Sequence, residues 1–262
     1  MKITKYNISS DKITKDITVA CVSDLHARSP KKVLSALSSV SPDYILLAGD
    51  IFEVANEFMK DRNASSFAFL ESALKIAPIY YCYGNHEIYF THDRRKFNRL
   101  PDDKMAEEYI RIISDMGVNL VNDSYLEIPG ENKSFFVGGL VCGRDKNPAF
   151  AEEFDSKFLE NFSNEKGFKI LLCHYPHYYE KHLKETDFDI ILSGHAHGGQ
   201  WRIFNRGVFA PHQGLFPKYT SGMRDGRFII STGAANNSKP IPRFFNPTEI
   251  LEIKISKKEE MR

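Results

Sequence analysis

Short apolar runs recur along this chain, and each of them ends in a turn. Five runs stand out, at 18–22, 44–48, 79–83, 169–173 and 189–192. Runs of four to six residues rich in Val, Ile, Leu and Tyr and bounded by turn residues are typical of buried β-strands. Apolar residues at helical spacing between several of the runs predict β-α-β units, which make neighbouring strands parallel.

The helices are predicted from apolar spacing together with start and stop residues. The first begins at Ser29 as the capping residue, with Pro30 at the first helical position. A second spans 65–76, and a third spans 103–116 and stops at Gly117, the residue type that most often ends a helix. Two more are predicted at 152–162 and 176–184.

Beyond Gly117 the apolar period changes to two, which predicts short strands. These strands are expected at 118–121, 124–128, 135–140, 201–204, 228–231 and 250–255. The change from β-α alternation to consecutive strands indicates a mixed second sheet. Residues 1–16 are predicted to form an edge strand or arm, and residues 256–262 a frayed tail.

The residues at the ends of the apolar runs carry the candidate chemistry. In chain order they are Asp24-x-His26, Gly49-Asp50, Gly84-Asn85-His86-Glu87, His174 and Gly194-His195-x-His197. Each group alone has an ordinary structural explanation, because an Asp commonly caps a turn and an Asn commonly occupies one. Together they predict one site, since the carboxyl ends of parallel strands meet at the same edge of a sheet. Candidates spread from residue 24 to residue 197 favour a single domain over 1–262.

The residue types in this set indicate a metal centre. Seven side chains offer oxygen or nitrogen and none offers a thiolate: Asp24, His26, Asp50, Asn85, His174, His195 and His197. Such a set disfavours a structural zinc site and suits Mn, Fe or catalytic Zn. Seven donors are too many for one ion, so two divalent ions are predicted.

The same ordered set resembles the calcineurin-like metallophosphoesterase family. The context, with Gly198-Gly199-Gln200 and the late segment 242–250, is similar to the YkuE/YaeI-like branch of bacterial phosphoesterases. The resemblance extends over nearly the whole chain from Thr18. It implies an α/β fold in which two mixed β-sheets are flanked by helices, a four-layer αββα sandwich.

The resemblance also implies roles for the individual residues. By position, Asp24, His26 and His197 would hold the first ion, Asn85, His174 and His195 the second, and Asp50 would bridge them. A hydroxide bridging the ions would attack phosphorus in line, and His86 would stabilise the transition state or protonate the leaving oxygen. The function implied is a metal-dependent phosphohydrolase, more specifically a phosphodiesterase acting on a small or lipid-like phosphoester. The alternatives are a phosphomonoesterase or nucleotide hydrolase of broad specificity, and a non-enzymatic scaffold on the same fold.

Composition indicates which binding partners and which cellular compartment to expect. A formal net charge of +1 gives no overall attraction for nucleic acid, so no specific nucleic-acid binding is expected. The four cysteines lack a C-x-x-C spacing and are expected to be buried free thiols, which favours a reducing, cytoplasmic compartment. No stretch approaches the length of a membrane span, although peripheral membrane contact stays compatible with the sequence.

Several residues and segments keep two interpretations. Arg28, in the loop of His26, is a substrate-binding candidate or a solvated arginine. Glu87 is expected to be a structural hydrogen-bond partner, segment 91–99 a solvated loop rather than a substrate cap, and segment 207–219 a packed loop or an exposed apolar lip. Four other histidines are expected on helix or loop surfaces: His92, His177, His182 and His212.

Overall fold

The computed structural model describes residues 1–55, 59–90, 103–128, 134–142, 154–204, 206–235 and 242–258. Within them, sixteen strands and four α-helices are found. The strands are β1 Lys2–Ser10, β2 Ile17–Val22, β3 Tyr44–Ala48, β4 Ile79–Cys82, β5 Asn119–Leu120, β6 Ser124–Glu127, β7 Phe135–Leu140, β8 Phe168–Cys173, β9 Ile190–Ser193, β10 Arg202–Ile203, β11 Arg206–Gly207, β12 Phe209–Ala210, β13 Gly214–Leu215, β14 Gly222–Arg224, β15 Phe228–Ile230 and β16 Glu249–Lys257. The helices are α1 Lys31–Val40, α2 Lys60–Leu74, α3 Asp103–Asp115 and α4 Ser156–Ser163.

Two six-stranded mixed sheets form the centre of the molecule. The first has the order β1-β16-β2-β3-β4-β5, and the second has the order β14-β15-β9-β8-β7-β6. The neighbours β2, β3, β4 and β5 are parallel, as are β7, β8, β9 and β15. Antiparallel partners lie outside these parallel cores, with β16 beside β2, β14 beside β15 and β6 beside β7. Two small hairpins, β10–β11 and β12–β13, complete the strands.

Successive side chains of a strand point to opposite faces of its sheet, and this explains the four layers. In β3, Leu46 packs into the core between the two sheets, while Ile45 and Leu47 pack outward against α1, α2 and α3. In β8, Ile170 faces the other sheet, while Leu171 packs with α4. Helices therefore cover the outer face of each sheet. The αββα sandwich predicted from the resemblance is confirmed.

The helix boundaries differ from the prediction in identifiable ways. The residue preceding α1 is Pro30, no side chain caps the helix, and the predicted capping role of Ser29 is therefore wrong. Helix α2 begins at Lys60, five residues before the predicted start. The prediction missed the first turn because that turn is polar and carries no apolar stripe. The predicted helix at 176–184 is reduced to a single π-helical turn, Tyr179–Leu183.

The first and the last strand of the chain pair with each other in the first sheet. Strand β1 lies at the sheet edge, parallel to β16, with Lys2 opposite Glu249 and Ser10 opposite Lys257. Strand β16 thus continues two residues into the segment that was predicted to fray from residue 256. The pairing explains why: β1 supplies hydrogen-bond partners through Lys257.

All four cysteines are buried free thiols, as predicted. Cys142 and Cys173 lie close together, with 3.3 Å between their Sγ atoms. In the part of the chain that the structure describes, no helix has the length and apolarity needed to cross a membrane.

Candidate metal centre

The candidate residues gather where the carboxyl ends of the two parallel strand sets face each other. Asp24 follows β2 and Asp50 follows β3 in the first sheet. His174 follows β8 and His195 follows β9 in the second sheet. All four side chains are buried, although they come from segments separated by as many as 171 residues. The fold thus builds one polar centre at the edge of the core between the sheets.

Asp24, His26 and His197 form one group of possible cation ligands, with one donor atom from each within 4.8 Å of the others. His26 Nε2 lies 3.2 Å from His197 Nε2, and His197 Nε2 lies 3.4 Å from Asp24 Oδ1. The two nitrogens thus face each other beside a carboxylate oxygen. We call this group the first cluster.

Asp50, His174 and His195 form a second group that meets the same distance criterion, which we call the second cluster. Asp50 Oδ2 lies 3.1 Å from His174 Nε2 in this cluster and 3.9 Å from His26 Nε2 in the first. One carboxylate is therefore within reach of both clusters. This is the position that a residue bridging two ions must occupy.

Asn85 tests whether the centre suits a metal. Its Oδ1 atom is buried and has no hydrogen-bond partner among the described residues. A buried carbonyl oxygen without a partner costs free energy, and binding a cation removes that cost. Together with the oxygen and nitrogen donors of the two clusters, this orphaned acceptor fits divalent ions. The assignment of each donor to a particular ion stays a prediction.

The backbone at five of the seven candidate ligands is in the left-handed region. The φ angles are 55° at Asp24, 50° at His26, 55° at Asp50, 65° at His195 and 46° at His197. Non-glycine residues rarely adopt this conformation, and it persists where the surrounding structure enforces it, often at functional sites. The turns after β2, β3 and β9 are therefore shaped to aim these side chains into the centre.

Gly194 allows the second sheet to approach Asp24. A Cβ atom at this position would lie 2.4 Å from Asp24 Oδ2 and 2.7 Å from Ser23 Oγ. The backbone of the next residue uses this proximity, because His195 N donates to Asp24 Oδ1 at 3.0 Å.

Replacing Gly194 by Ala should displace the Asp24 carboxylate and weaken metal binding. We expect the affinity for Mn²⁺ to fall by about tenfold or more, the scale seen when a ligand's supporting contacts are removed. Calorimetric titration of metal-stripped protein measures this effect. Gly117→Ala, at a helix end with nothing within 4 Å of the added Cβ, is the control for a general loss of stability. Equal affinities in the wild type and Gly194→Ala would show that the close approach is not needed.

Glu53 is a buried member of the centre that sequence analysis missed. Its Oε2 lies 2.8 Å from His86 Nδ1, and its Oε1 lies 3.5 Å from His26 Nδ1. The signal was present in the sequence as a carboxylate three residues after Asp50 in Gly49-Asp50-Ile51-Phe52-Glu53. Glu53 ties a cluster ligand to His86, whose Nε2 then faces Asp50 Oδ2 at 3.9 Å.

Replacing Glu53 by Gln should release His86 from its orientation while keeping the size of the side chain. We expect the kcat for phosphoester hydrolysis to fall by about 10- to 100-fold, as for other residues that orient groups around a metal. Steady-state kinetics with saturating metal measures this effect. Glu71→Gln, on the exposed face of α2, is the matched control and should retain full activity. A Glu53→Gln protein with the kinetics of the wild type would contradict the orienting role.

Opposing electrostatic effects set the charges in the centre. Burial would raise the pKa of Asp50, but His174, His86 and His26 hold it well below its usual range. Burial opposes protonation of His174 and His86, yet the neighbouring carboxylates raise their pKa values, to about 10 for His174 through Asp50 and to about 9 for His86 through Asp50 and Glu53. Positive charge is therefore favoured around Asp50, as in a cation-binding site.

The two histidines of the last turn behave differently. Burial lowers the pKa of His197 to about 3, although Asp24 opposes that shift. Burial, followed by the nearby His174, holds the pKa of His195 well below its usual range. Both imidazoles are thus neutral at pH 7, the form in which a ring nitrogen can bind a metal ion.

Glu87 is a structural hydrogen-bond acceptor, as the sequence predicted. Its Oε2 accepts from the backbone N–H groups of Asp50 and Gly84, and its Oε1 accepts from that of Phe52, at 2.8 to 2.9 Å. These bonds fix the turn after β3 to the turn after β4. Asp50 completes the connection, because its Oδ1 accepts from His86 N at 2.9 Å.

Arg243 is a second residue that sequence analysis did not select. Its Nη2 lies 3.1 Å from His197 Nδ1 and donates to Ala235 O at 2.6 Å. Its Nε and Nη1 atoms are buried and make no hydrogen bond to the described residues. Burial lowers the pKa of Arg243 to about 10 despite the nearby Asp24, so the guanidinium is still charged at pH 7 and lies behind the first cluster. In the sequence, the one indication of a role for Arg243 was its position in the late segment 242–250, which contributes to the family resemblance.

His212 is exposed, as predicted, but it also contacts a candidate ligand. Its ring is stacked on that of His195 with centroids 5.1 Å apart, and its Nδ1 lies 3.3 Å from His195 Nε2. His177 is half-buried, with its ring 5.1 Å from that of His212. His182 is half-buried as well, with its ring 4.6 Å from that of Phe154, so both histidines lie at the surface and are partly covered by neighbouring rings.

The remaining sequence predictions have mixed outcomes. Arg28 is exposed, and its role in substrate binding stays a prediction. In segment 207–219, Phe209, Leu215 and Phe216 are exposed, which favours the apolar lip over the packed loop. Segment 91–99 and His92 lie outside the described residues.

The comparison with known families decides the relationship. The family model for calcineurin-like phosphoesterases matches residues 17–199, which is more than half of the chain. This chain belongs to the calcineurin-like phosphoesterase family. The family predicted from the ordered set of run-end residues is therefore confirmed, and the YkuE/YaeI-like branch stays a prediction.

Curated relatives of this calcineurin-like chain are remote. An uncharacterized metallophosphoesterase from Helicobacter pylori is 23% identical over 271 residues, covering 99% of this chain, and this chain spans only 65% of that relative's length. A UDP-2,3-diacylglucosamine pyrophosphatase, LpxG, from Chlamydia muridarum is 25% identical over 279 residues, covering 89% of this chain and 82% of the relative. Among solved structures, the phosphopantetheinyl hydrolase PptH from Mycobacterium tuberculosis has a TM-score of 0.47 at 12% identity, covering 81% of this chain and 88% of that one.

Proposed function

We propose that this protein is a metal-dependent phosphohydrolase that uses two divalent ions, Mn, Fe or Zn, to cleave a phosphodiester-type bond. The observation that carries the proposal is the position of Asp50, whose Oδ2 is within 3.9 Å of imidazole nitrogens of both clusters. Family membership supports the reaction class, because the matching family is one of phosphoesterases. When bound, two such ions supply Lewis-acid contacts to phosphate oxygens and lower the pKa of a nucleophilic water.

Each ion would be held by three ligands of its own and by one shared carboxylate. Asp24, His26 and His197 would hold the first ion, Asn85, His174 and His195 the second, and Asp50 both. The neutral imidazoles of His195 and His197 and the unpartnered Oδ1 of Asn85 are suited to this. Binding of an ion would displace the proton of His174. With the ligating imidazoles neutral, the two aspartates offset only part of the charge of two divalent ions, which leaves the centre attractive to a phosphate oxygen.

His86 would act on the leaving oxygen. Glu53 fixes the ring through Nδ1 at 2.8 Å, so that Nε2 faces the centre beside Asp50. From there Nε2 can donate a hydrogen bond, or its proton, to the oxygen that departs from phosphorus. Proton transfer by a positioned side chain contributes about 10²- to 10⁴-fold to a rate.

The preference for a diester with an apolar part rests on two features. The Chlamydia muridarum relative is named as a pyrophosphatase of UDP-2,3-diacylglucosamine, a compound in which phosphorus is substituted on both sides and acyl groups are present. In this chain, the hairpin β12–β13 exposes Phe209 and Leu215 and also carries His212, which contacts His195. An exposed apolar surface therefore lies beside a candidate metal ligand. A lipid-like phosphoester needs this arrangement, because its apolar part and its phosphorus must be bound side by side.

Hydrolysis of bis-p-nitrophenyl phosphate and p-nitrophenyl phosphate by metal-stripped protein refilled with Mn²⁺, Zn²⁺ or Mg²⁺ tests the proposal. We expect hydrolysis only after metal is added, with the diester cleaved faster than the monoester. Faster cleavage of the monoester would support the phosphomonoesterase instead. If ions bind but neither these compounds nor a lipid-linked pyrophosphate is cleaved, the protein is a scaffold.

A further inference from the structure

Three phenylalanines occupy exposed turns next to the metal centre. Phe204 is 97% exposed, Phe216 is 72% exposed and Phe245 is 89% exposed. Each has a left-handed backbone, with φ angles of 47°, 51° and 51°. Large side chains are rare in that conformation, and glycine or asparagine is the usual occupant. Neither burial nor turn geometry favours phenylalanine at these positions, whereas contact with a partner would.

Backbone hydrogen bonds join the segments that carry the three turns. The backbone N–H of Arg202 donates to Phe244 O at 3.0 Å, which joins the turn of Phe245 to strand β10. The N–H of Phe216 donates to Val208 O at 2.9 Å, and the N–H of Val208 donates to Trp201 O at 2.8 Å. Other apolar side chains exposed on the same segments are Trp201, Ile203, Phe209, Leu215 and Phe244. We call the surface formed by segments 201–204, 209–216 and 244–245 the aromatic rim.

Cationic side chains adjoin the aromatic rim. A pocket of about 410 Å³ bordered by Phe216 is also lined by Arg206, Lys218 and Arg224, and none of its described lining residues is acidic. Lys218 forms an ion pair with Glu180 at 2.7 Å, so the two arginines supply the net positive charge. Exposed aromatic side chains beside arginines match the two layers of an anionic bilayer surface, apolar chains and phosphate headgroups.

We propose that the aromatic rim docks on the surface of an anionic phospholipid bilayer. Phe204, Phe216 and Phe245 enter the boundary between headgroups and acyl chains, while Arg206 and Arg224 bind lipid phosphates. This binding is independent of hydrolysis and needs no metal ion. It goes beyond the proposed function because it assigns a surface rather than a substrate.

The rim is fixed to the turn that carries the candidate ligands. Asn246, next to Phe245, donates from Nδ2 to His197 O at 2.6 Å. The N–H of Val208 donates to Gly199 O at 3.1 Å, at the end of the short helical turn His197–Gly199. Docking would therefore place the metal centre beside the bilayer, where it has access to phosphoesters of membrane lipids.

Vesicle binding followed through tryptophan fluorescence tests the docking surface. Trp201 lies on the rim and is the single tryptophan of the chain, so its emission reports binding directly. With vesicles of phosphatidylcholine and phosphatidylglycerol at 7:3, we expect emission to shift to shorter wavelength and the protein to sediment with the vesicles. Pure phosphatidylcholine should bind at least about tenfold more weakly, because each cation near an anionic surface contributes several-fold to binding.

Two variants separate the apolar and the charged contributions. F204N/F216N/F245N should lower the partition coefficient by about tenfold or more, because apolar burial drives insertion, while asparagine tolerates the left-handed backbone. R206Q/R224Q should bring binding to mixed vesicles down to the level for phosphatidylcholine. L126N, which removes an exposed apolar side chain from β6, is the control and should bind as the wild type.

Three results would overturn the proposal. The first is a wild-type protein that neither shifts its emission nor sediments with either vesicle. The second is self-association in sedimentation velocity without lipid, abolished in F204N/F216N/F245N, with no vesicle binding, which would assign the rim to a second copy of this chain. The third is equal vesicle binding by the wild type and the phenylalanine variant. Metal-stripped and metal-loaded protein should behave alike, so failure here is distinct from failure of the proposed hydrolysis.

Discussion

Replacing Asp50 by Asn is expected to abolish hydrolysis of bis-p-nitrophenyl phosphate, with a loss of about 10³-fold or more in kcat. Asp50 Oδ2 is within reach of His174 in one cluster and of His26 in the other. An amide keeps the shape and can still accept the hydrogen bond from His86 N, but it removes the negative charge that two cations share. We expect metal analysis of the variant to give at most one ion per chain.

Asp115→Asn provides the matched control for the Asp50 substitution. Asp115 is an exposed carboxylate at the end of α3, 4.0 Å from Arg111, and its replacement should change neither metal content nor kcat. Retention of two ions and of wild-type activity by Asp50→Asn would contradict the bridging role. Circular dichroism of both variants checks that the fold is retained.

Replacing His86 by Ala is expected to lower kcat by about 10²- to 10⁴-fold while both ions stay bound. The ring contacts Glu53 through Nδ1 and faces Asp50 through Nε2. It lies outside the first and second clusters, although His26, Glu53 and His86 form a third group that meets the same distance criterion. Metal content and kcat measured on the same preparation separate a catalytic from a ligating role.

His182→Ala is the matched control for the His86 substitution. His182 packs against Phe154 and Tyr178 on the far side of the second sheet, so its removal should leave kcat unchanged. An His86→Ala protein that loses an ion would make His86 a ligand. Unchanged kcat with both ions bound would remove its assigned role. The p-nitrophenolate that leaves from bis-p-nitrophenyl phosphate needs no proton. The loss of kcat in His86→Ala should therefore be larger with an alkyl phosphodiester than with this compound.

The sequence was most informative where local pattern and chemistry coincide. Apolar runs such as 44–48 and 169–173 predict strands β3 and β8 because buried parallel strands are apolar on both faces. The polar residues that follow them, such as Asp50 and His174, must converge because parallel strands end at one edge. The fold class and the gathering of the candidate ligands were therefore predictable without coordinates.

Features that depend on distant contacts were not predictable in the same way. Arg243 reaches His197 across 46 residues, and His212 reaches His195 across 17, through turns that have no regular pattern. The exposure of Phe204, Phe216 and Phe245 contradicts the expectation that aromatic residues are buried, and only the folded surface shows it. The early start of helix α2 was missed because its first turn is polar and carries no apolar stripe.

The most direct test of the two-ion centre is a titration of metal-stripped protein with Mn²⁺ in which bound ions and the initial rate of diester hydrolysis are measured on the same samples. We expect saturation at two ions per chain, with the rate rising mainly as the second ion binds, because Asp50 would hold both ions. Saturation at a single ion with full activity, or two bound ions with no hydrolysis of any phosphodiester, would contradict this expectation.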